Sequence, residues 1–351
     1  MEISKKINEM KWKLEMSKYK YWWHYFLAVN ESTGEERPFF IQYYVVNPEG
    51  SAFEPKFSEP SYAMVRAGTW ENGGVQVNNF YGGNYFNIKN YVKEYQIFIG
   101  HCTVSENYLK GNVYLGENCA EKHNEFMSNC GEFSWELEKK NRIPYNVENN
   151  IISIASSLER FNTEFIGNIK YNGQEYKVIQ GRSNGYEMKV FMNADFGFWV
   201  NMNCNSFKSE LKEKVDANLN LIGLSPIILK KELNKEFSVV LNLEGKEYKY
   251  SNRVLGSGRI SDFSCDEDDK KVTVYLEAIN DSSKIQIFFQ DEKENMMKLI
   301  YKGLCQQHSI LNFWNSGCAK GFVKLYEKSD NSYILRYHLK GSMANFISYI
   351  E

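Results

Sequence analysis

The sequence has 6 prolines among 351 residues and lacks an apolar run long enough to cross a bilayer. Residues Met1 to Lys20 are charged throughout, without the apolar core of a signal peptide. The net charge of −2 comes from interspersed acids and bases, so no electrostatic feature indicates nucleic acid or an anionic membrane as a partner. We therefore expect a cytoplasmic protein with no transmembrane segment. The oligomeric state does not follow from these features.

Motifs for common cofactors are also missing. The chain has no phosphate-cradling Gly-Lys loop and no glycine fingerprint for a dinucleotide. The five histidines are far apart, and the seven cysteines include no Cys-x-x-Cys pair. The acidic turn Asp266–Asp269 lacks the alternating oxygen ligands of a calcium loop. We expect no metal, no cofactor, and reduced, mostly buried thiols.

Aromatic residues are abundant, at 15% of the chain, and with 24 glycines they favour strands and turns. Tyr21–Asn30 and Phe39–Asn47 flank a polar turn and predict a hairpin. Alternation places Trp22, His24, Phe26 and Ala28 on one face of the first strand, and both faces are apolar or aromatic. A strand of this kind needs cover on both sides.

Later segments continue the β pattern. Asn172-Gly173 predicts a tight two-residue hairpin turn, and Glu244-Gly245 predicts another turn between strands. Short helices are expected over residues 3–16 and 151–161. Many short strands with almost no helix indicate an all-β sandwich or barrel, with a joint between two halves near residue 195.

The candidate site residues are aromatic side chains near isolated acids. Seven aromatic residues are candidates for lining an apolar cavity: Trp22, Trp23, Trp70, Trp135, Trp199, Phe196 and Phe198. A carboxylic acid in such a cavity would have its pKa raised by desolvation and would remain a proton donor. Glu71, Glu187 and Asp195 adjoin aromatic residues and are the candidates. The alternative is that the rings are core packing and the acids face water.

Several of these segments resemble the tocopherol cyclase-like family, which is akin to carotenoid hydratases of the hydroxyneurosporene synthase type. The resemblance lies in Trp22–Phe26 with Gln42–Pro48, in Glu132–Glu138, and in Gly185-Tyr186 followed by Lys189, Trp199, Asn203, Asn205 and Phe207. C-terminal segments around Val274–Ala278 and Gly321–Tyr326 continue it. At the position of the family's usual acid this chain has Met188, preceded by Glu187.

The resemblance implies two lipocalin-like β-barrel or sandwich domains, over residues 1–195 and 196–351, with a few short helices. It also implies an apolar, isoprenoid or other lipid-like small-molecule substrate. The chemistry would begin with protonation of a double bond and end with cyclisation or hydration, without a redox cofactor.

Three functions are compatible with this pattern. The first is a cyclase, isomerase or hydratase in which Glu187, Asp195 or His24 donates the proton or orients its donor. Aromatic rings would stabilise a developing carbocation, and the substrate-binding candidates are Trp22, Trp23, Trp70, Tyr186, Phe196 and Trp199. The second is a non-catalytic protein that binds a lipid or another apolar ligand. The third is a pericyclic, Diels–Alder-type cyclase that works by preorganising its substrate.

Overall fold

The computed structural model describes residues 19–46, 61–70, 73–90, 95–122, 128–144, 156–178, 184–192, 195–228, 231–252, 258–302, 310–330 and 332–350. The helix predicted over residues 3–16 and the candidate Glu71 lie outside these ranges. The chain divides into two compact units. Unit 1 comprises Met1–Thr69, Val75–Ala194 and Lys302–Ile310, and unit 2 comprises Trp70–Gly74, Asp195–Tyr301 and Leu311–Glu351.

Unit 1 contains a sheet of twelve strands among the described residues. The strands are β1 (Tyr19–Val29), β2 (Glu36–Val46), β3 (Tyr62–Thr69), β4 (Val75–Gly82), β5 (Phe86–Asn90), β6 (Tyr95–Ile99), β7 (Cys102–Ser105), β8 (Tyr108–Leu115), β9 (Gly131–Pro144), β10 (Ser156–Tyr171), β11 (Gln174–Val178) and β12 (Asn184–Met192). A short helix, α1 (Glu117–Lys122), follows β8, and a 3-10 turn spans Gly83–Tyr85.

The sheet of unit 1 runs in the order β4-β3-β2-β1-β11-β10-β9-β8-β7-β6-β5, and β12 pairs with both β1 and β10. Asn79 on β4 exchanges two hydrogen bonds with the backbone of Tyr114 on β8, Nδ2 donating over 2.9 Å and Oδ1 accepting over 3.0 Å. These bonds link β4 and β8, which are far apart in the strand order, so the sheet curves around its core.

Unit 2 contains a sheet of thirteen strands among the described residues. The strands are β13 (Asp195–Cys204), β14 (Phe207–Lys208), β15 (Lys214–Val215), β16 (Ala217–Ile228), β17 (Lys231–Glu232), β18 (Glu236–Leu243), β19 (Lys246–Ser251), β20 (Arg259–Glu267), β21 (Lys271–Ile279), β22 (Ser283–Glu292), β23 (Met297–Lys302), β24 (Ile310–Ser329) and β25 (Ser332–Ile350). The main order is β19-β18-β16-β13-β25-β24-β22-β21-β20, and a 3-10 turn spans Lys293–Asn295.

The cores follow from residue alternation. In β21 every second residue is buried, so Val272, Val274, Leu276 and Ala278 point into the core of unit 2. In β1 the residues Trp22, Phe26 and Ala28 enter the core of unit 1, as predicted. The opposite face of β1, with Trp23 and Tyr25, is buried too. The all-β fold with two barrel domains is therefore confirmed.

The predicted turns are also present. Asn172 and Gly173 adopt positive φ values of 46° and 81° and join the paired strands β10 and β11. Glu244 and Gly245 adopt φ values of 50° and 80° between β18 and β19. Both positions in such a turn need the left-handed region, which glycine and asparagine adopt most readily.

Two expectations need correction. The helix predicted over residues 151–161 is wrong from Ser156 onward, because this segment pairs with β12 as the start of β10. Hydrogen bonds to a neighbouring strand outweigh a short helical periodicity there. The six cysteines within the described ranges are free thiols, but they are not mostly buried: Cys102 and Cys204 are buried, Cys265 and Cys318 are half-buried, and Cys119 and Cys130 are exposed. The position of the domain boundary at residue 195 stays a prediction, since each unit includes a segment from the other half of the chain.

Candidate functional site

The candidate site is centred on Glu187, which lies opposite His24 where β12 pairs with β1. Directly opposite residues share a face of the sheet, so Glu187 points the same way as Trp22, His24 and Phe26, toward the core of unit 1. The side chains of Glu187 and His24 are both fully buried. The alternation of β1 therefore places a carboxyl group and an imidazole together among apolar neighbours.

A β-bulge in β9 positions two cationic side chains next to Glu187. Asn162 and Glu164 on β10 pair with Ile143 and Lys140 on β9, so β9 carries one extra residue between them. Asn141 takes a φ of 45° at this point. The bulge changes the alternation of the strand, and as a result Lys139 and Arg142 both reach Glu187.

The carboxylate of Glu187 is bound on both oxygens. Lys139 Nζ donates to Oε1 over 3.0 Å, and Arg142 Nε donates to Oε2 over 2.9 Å. Tyr95 Oη lies 3.4 Å from Oε1, and His24 Nε2 lies 3.7 Å from the same oxygen. Charged hydrogen bonds from two sides hold the carboxylate in one orientation.

The network continues toward solvent through Glu106. Arg142 Nη1 donates to Glu106 Oε2, and Lys189 Nζ donates to Glu106 Oε1 over 3.1 Å. Lys189 Nζ also lies 4.2 Å from the ring centre of Tyr95, a cation–π contact. Glu106 and Arg142 retain 20% and 17% exposure, so this edge of the network is accessible. We call the seven residues the Glu187 cluster: Glu187, His24, Lys139, Arg142, Lys189, Glu106 and Tyr95.

The expected protonation of Glu187 is corrected by its surroundings. Burial alone raises the pKa of the carboxyl group, but Lys139, the neighbouring His24, Lys189 and Arg142 together hold this pKa well below its usual range. Glu187 is therefore an ionised carboxylate at neutral pH. It is an orienting or accepting group and not a protonated acid.

Two neighbours of Glu187 have lowered pKa values, because burial disfavours their charged forms. Burial, helped by Arg142 and Lys189 and opposed by Glu187, lowers the pKa of Lys139 to about 8. Burial and the charge of Lys139 lower the pKa of His24 to about 4, against the opposing effects of the Glu187 carboxylate and the Ile41 carbonyl. At neutral pH His24 is a neutral imidazole, whereas Lys139 is an ammonium ion close to its titration point.

The predicted lining residues of unit 1 are packed against neighbouring side chains. Trp22 belongs to the packed core of unit 1, and Trp23 stacks on Phe40 with ring centres 4.5 Å apart. Tyr186 is fully buried and is a direct neighbour of Glu187 along β12, hence on the other face. Trp135 lies in the core of unit 1 and donates its indole N–H to Tyr43 Oη over 3.1 Å.

The remaining candidates belong to unit 2. Trp70 donates to the carbonyl of Asn315 over 3.1 Å, and Trp199 and Phe198 are buried on β13. Asp195 and Phe196 begin β13, but their side chains lie outside the described residues. The structure thus brings Glu187 and His24 together, and the cavity-lining role of the aromatic residues stays a prediction.

Sequence reasoning missed the cations of the cluster. One signal was present, because Phe133, Trp135, Leu137 and Lys139 alternate along β9, which places Lys139 on the buried face. The bulge at Asn141 has no such signature, so the position of Arg142 does not follow from alternation. Glu106 lies in the turn between β7 and β8 and carries no pattern at all.

Open clefts adjoin unit 1. One, of about 660 Å³, runs along β8 and β9 and is lined by Lys139, Lys140 and Asn141, among others. Another, of about 640 Å³, is bordered by the rings of Phe80, Tyr81, Tyr85, Phe86 and Phe98. The first cleft therefore reaches the β9 bulge that shapes the Glu187 cluster.

Within the described ranges, no three His, Cys, Asp or Glu side chains are grouped closely enough to hold a metal ion. None of the helices formed by the described residues has the length and hydropathy needed to span a bilayer.

Comparison with known proteins identifies the fold. No protein-family model matches the chain, and a search of curated proteins gives no match. Among solved structures, a protein from Nitrosomonas europaea with the provisional designation AttH is similar, with a TM-score of 0.52, 8% identity, and coverage of 95% of this chain and 93% of that chain. Kievitone hydratase from Nectria haematococca is similar with a TM-score of 0.50, 9% identity, and coverage of 95% and 90%. The chain shares the all-β fold with two barrel domains of these proteins.

Proposed function

We propose that the protein is a cofactor-independent enzyme of the hydratase, isomerase or cyclase class, and that the Glu187 cluster performs proton transfer on an unsaturated, apolar small molecule. The observation that carries this proposal is the buried Lys139, whose pKa is lowered to about 8 beside an ionised carboxylate 3.0 Å away. A proton donor works best when its pKa lies near the working pH. A buried group with a displaced pKa and a fixed partner is a common feature of active sites.

Each residue has a distinct role in this proposal. Lys139 gives and takes the proton, and Glu187 orients the Lys139 ammonium group through their hydrogen bond. Arg142 remains charged and, at 17% exposure, is placed to contact a substrate oxygen at the accessible edge. The cluster contains three cations and two carboxylates, so one positive charge is available to stabilise an oxyanion.

These protonation states favour one type of double bond. An ammonium ion of pKa about 8 is far too weak an acid to protonate an isolated alkene to a carbocation. It is suited to a double bond conjugated with a carbonyl group. Water or an internal hydroxyl would form a C–O bond at the β-carbon and lose its proton to solvent at the accessible edge, while the double-bond electrons move to the carbonyl oxygen as an enolate that the cations stabilise. Lys139 would then protonate the α-carbon and regain its proton from solvent. The carbocation route requires a protonated carboxylic acid, and for that route Asp195 remains the candidate.

The fold supports the substrate class without defining it. One structural neighbour is named as a hydratase of kievitone. The resemblance of this sequence to tocopherol cyclase-like proteins and carotenoid hydratases suggests an isoprenoid or a related lipid-like substrate. Both favour the addition of an O–H bond, from water or from a hydroxyl group, across a double bond.

A direct test is to incubate the protein with a panel of prenylated phenols and chain-conjugated enones and to analyse the products by liquid chromatography and mass spectrometry. Hydration adds one water to the mass, and cyclisation leaves the mass unchanged with a new retention time. We expect Lys139→Met to lower the rate at least about a hundredfold. We also expect the wild-type rate to fall as the pH rises through about 8, because Lys139 then loses its proton.

The matched control is Lys110→Met, since Lys110 forms an exposed ion pair with Glu136 on the neighbouring strands. This variant should keep full activity. Full activity of Lys139→Met would exclude the proposed mechanism and would favour a pericyclic reaction that needs only shape. Retention of an unchanged ligand across the whole panel would favour a binding protein.

A further inference from the structure

Unit 2 carries buried asparagines on the sheet face that points away from its own core. In β13 the residues Phe198, Val200, Met202 and Cys204 enter the core, so Asn201 and Asn203 lie on the opposite face. Asn220 on β16, Asn315 on β24 and Asn345 on β25 are buried on the same face. With Asn218, two residues before Asn220 on β16, six buried amides share this face. This is unusual, because uncharged polar side chains are mostly exposed.

Strand register arranges these amides in a row. Asn220 lies opposite Asn203, and Asn203 lies opposite Asn345 on the next strand. The row therefore crosses three strands, roughly 10 Å from end to end. Asn315 pairs with Ile347, two residues beyond Asn345, and so lies diagonally next to it. Ile222, Leu224 and Ile347 are buried on the same face and flank the row with apolar surface.

Two of the amides have a fixed orientation. Asn345 Nδ2 donates to the carbonyl of Ser316 over 3.0 Å, and Asn315 Nδ2 donates to the carbonyl of Phe346 over 3.1 Å. Their Oδ1 atoms consequently point away from these backbone partners. Neither oxygen, and neither amide atom of Asn220, has a hydrogen-bond partner among the described residues.

Buried polar atoms without partners are costly, and in native proteins they are normally satisfied by a ligand or an ordered water molecule. We propose that this asparagine face is a binding site for the hydroxyl-bearing part of an apolar small molecule. Asn315 Oδ1 and Asn345 Oδ1 accept hydrogen bonds from the ligand's O–H groups, and Asn220 both donates and accepts. The row itself is uncharged, which matches a neutral hydroxyl group, and the flanking isoleucine and leucine side chains match an apolar body.

This site is formed by residues of unit 2, whereas the Glu187 cluster is formed by residues of unit 1. It needs no catalytic step, so the proposal stands whether or not the protein is an enzyme. Its test therefore measures binding and not turnover.

Phenol and anisole are suitable probes, because they share a ring and differ in the hydrogen-bond donor. We expect phenol to bind the wild-type protein about tenfold more tightly than anisole, the effect of roughly one good hydrogen bond. Phenol should also shift the side-chain amide resonances of Asn315 and Asn345 in the ¹⁵N spectrum. The signals are assigned by their disappearance in Asn315→Leu and Asn345→Leu.

The two variants should bind phenol no better than anisole. The matched control is Asn242→Leu, which makes the same change on the same face of β18 at a half-buried position, and it should keep the preference for phenol. Equal binding of the two probes to the wild-type protein would overturn the proposal, and this outcome does not depend on the folding of any variant. A high-resolution structure of phenol-soaked crystals with ordered water only at Asn315 and Asn345 would overturn it as well.

Discussion

Replacement of His24 by phenylalanine should reduce the stability that unit 1 loses as the pH falls. His24 Nδ1 lies 3.3 Å from the carbonyl oxygen of Ile41, and the ring makes edge contacts with Tyr43 and Phe165. A phenylalanine preserves these ring contacts and removes the titrating group.

The sign and size of the effect follow from the displaced pKa. The pKa of His24 is about 4 in the folded protein, chiefly because of burial, and its ordinary value is 6.5. Between these values the unfolded chain binds more protons than the folded chain, so acidification favours unfolding. From pH 7 to pH 4.5 this one residue lowers the free energy of unfolding by about 2–3 kcal/mol.

The measurement is hydrogen exchange at β1 and β12 by mass spectrometry, at pH 7 and pH 4.5, for the wild-type protein and His24→Phe. Exchange at these strands reports the opening free energy of unit 1 itself. Between the two pH values the variant should lose about 2–3 kcal/mol less than the wild-type protein. Identical losses, or a wild-type His24 that titrates above pH 6 by NMR, would refute the reasoning about its environment.

Three further predictions concern single positions. A methyl group at Gly317 would overlap the indole of Trp70, so Gly317→Ala should destabilise unit 2 by about 1–3 kcal/mol in urea unfolding. Asn141 has a positive φ, so Asn141→Ala should lower the free energy of unfolding by about 1–2 kcal/mol. Asn141→Gly removes the same side chain without backbone strain and should be better tolerated. Equal destabilisation by the two variants would contradict the role of the bulge. Glu187→Gln leaves buried cations without their carboxylate and should cost about 3–5 kcal/mol, whereas Glu136→Gln at an exposed pair should cost at most about 1 kcal/mol by the same measurement.

Local pattern was sufficient for much of the fold. The two apolar faces of β1, the turn at Asn172-Gly173 and the alternation along β21 are properties of neighbouring residues, and each predicted its element. A short helical periodicity led to a wrong prediction of helix at residues 156–161. These residues pair with β12, which is distant in the sequence, so the local pattern does not reveal the pairing.

At the candidate site, the contrast between what local sequence predicts and what only the tertiary structure decides is clearer. The sequence by itself determined that His24 shares a buried face with Trp22 and Phe26, and it marked Glu187 as an acid next to an aromatic residue. It could not determine the charge state of Glu187, because the deciding cations come from β9, which is 48 residues away at Lys139 and 45 at Arg142. Desolvation alone predicts a protonated acid, whereas desolvation beside buried cations produces an ionised one, and only the tertiary structure places those cations within hydrogen-bonding distance.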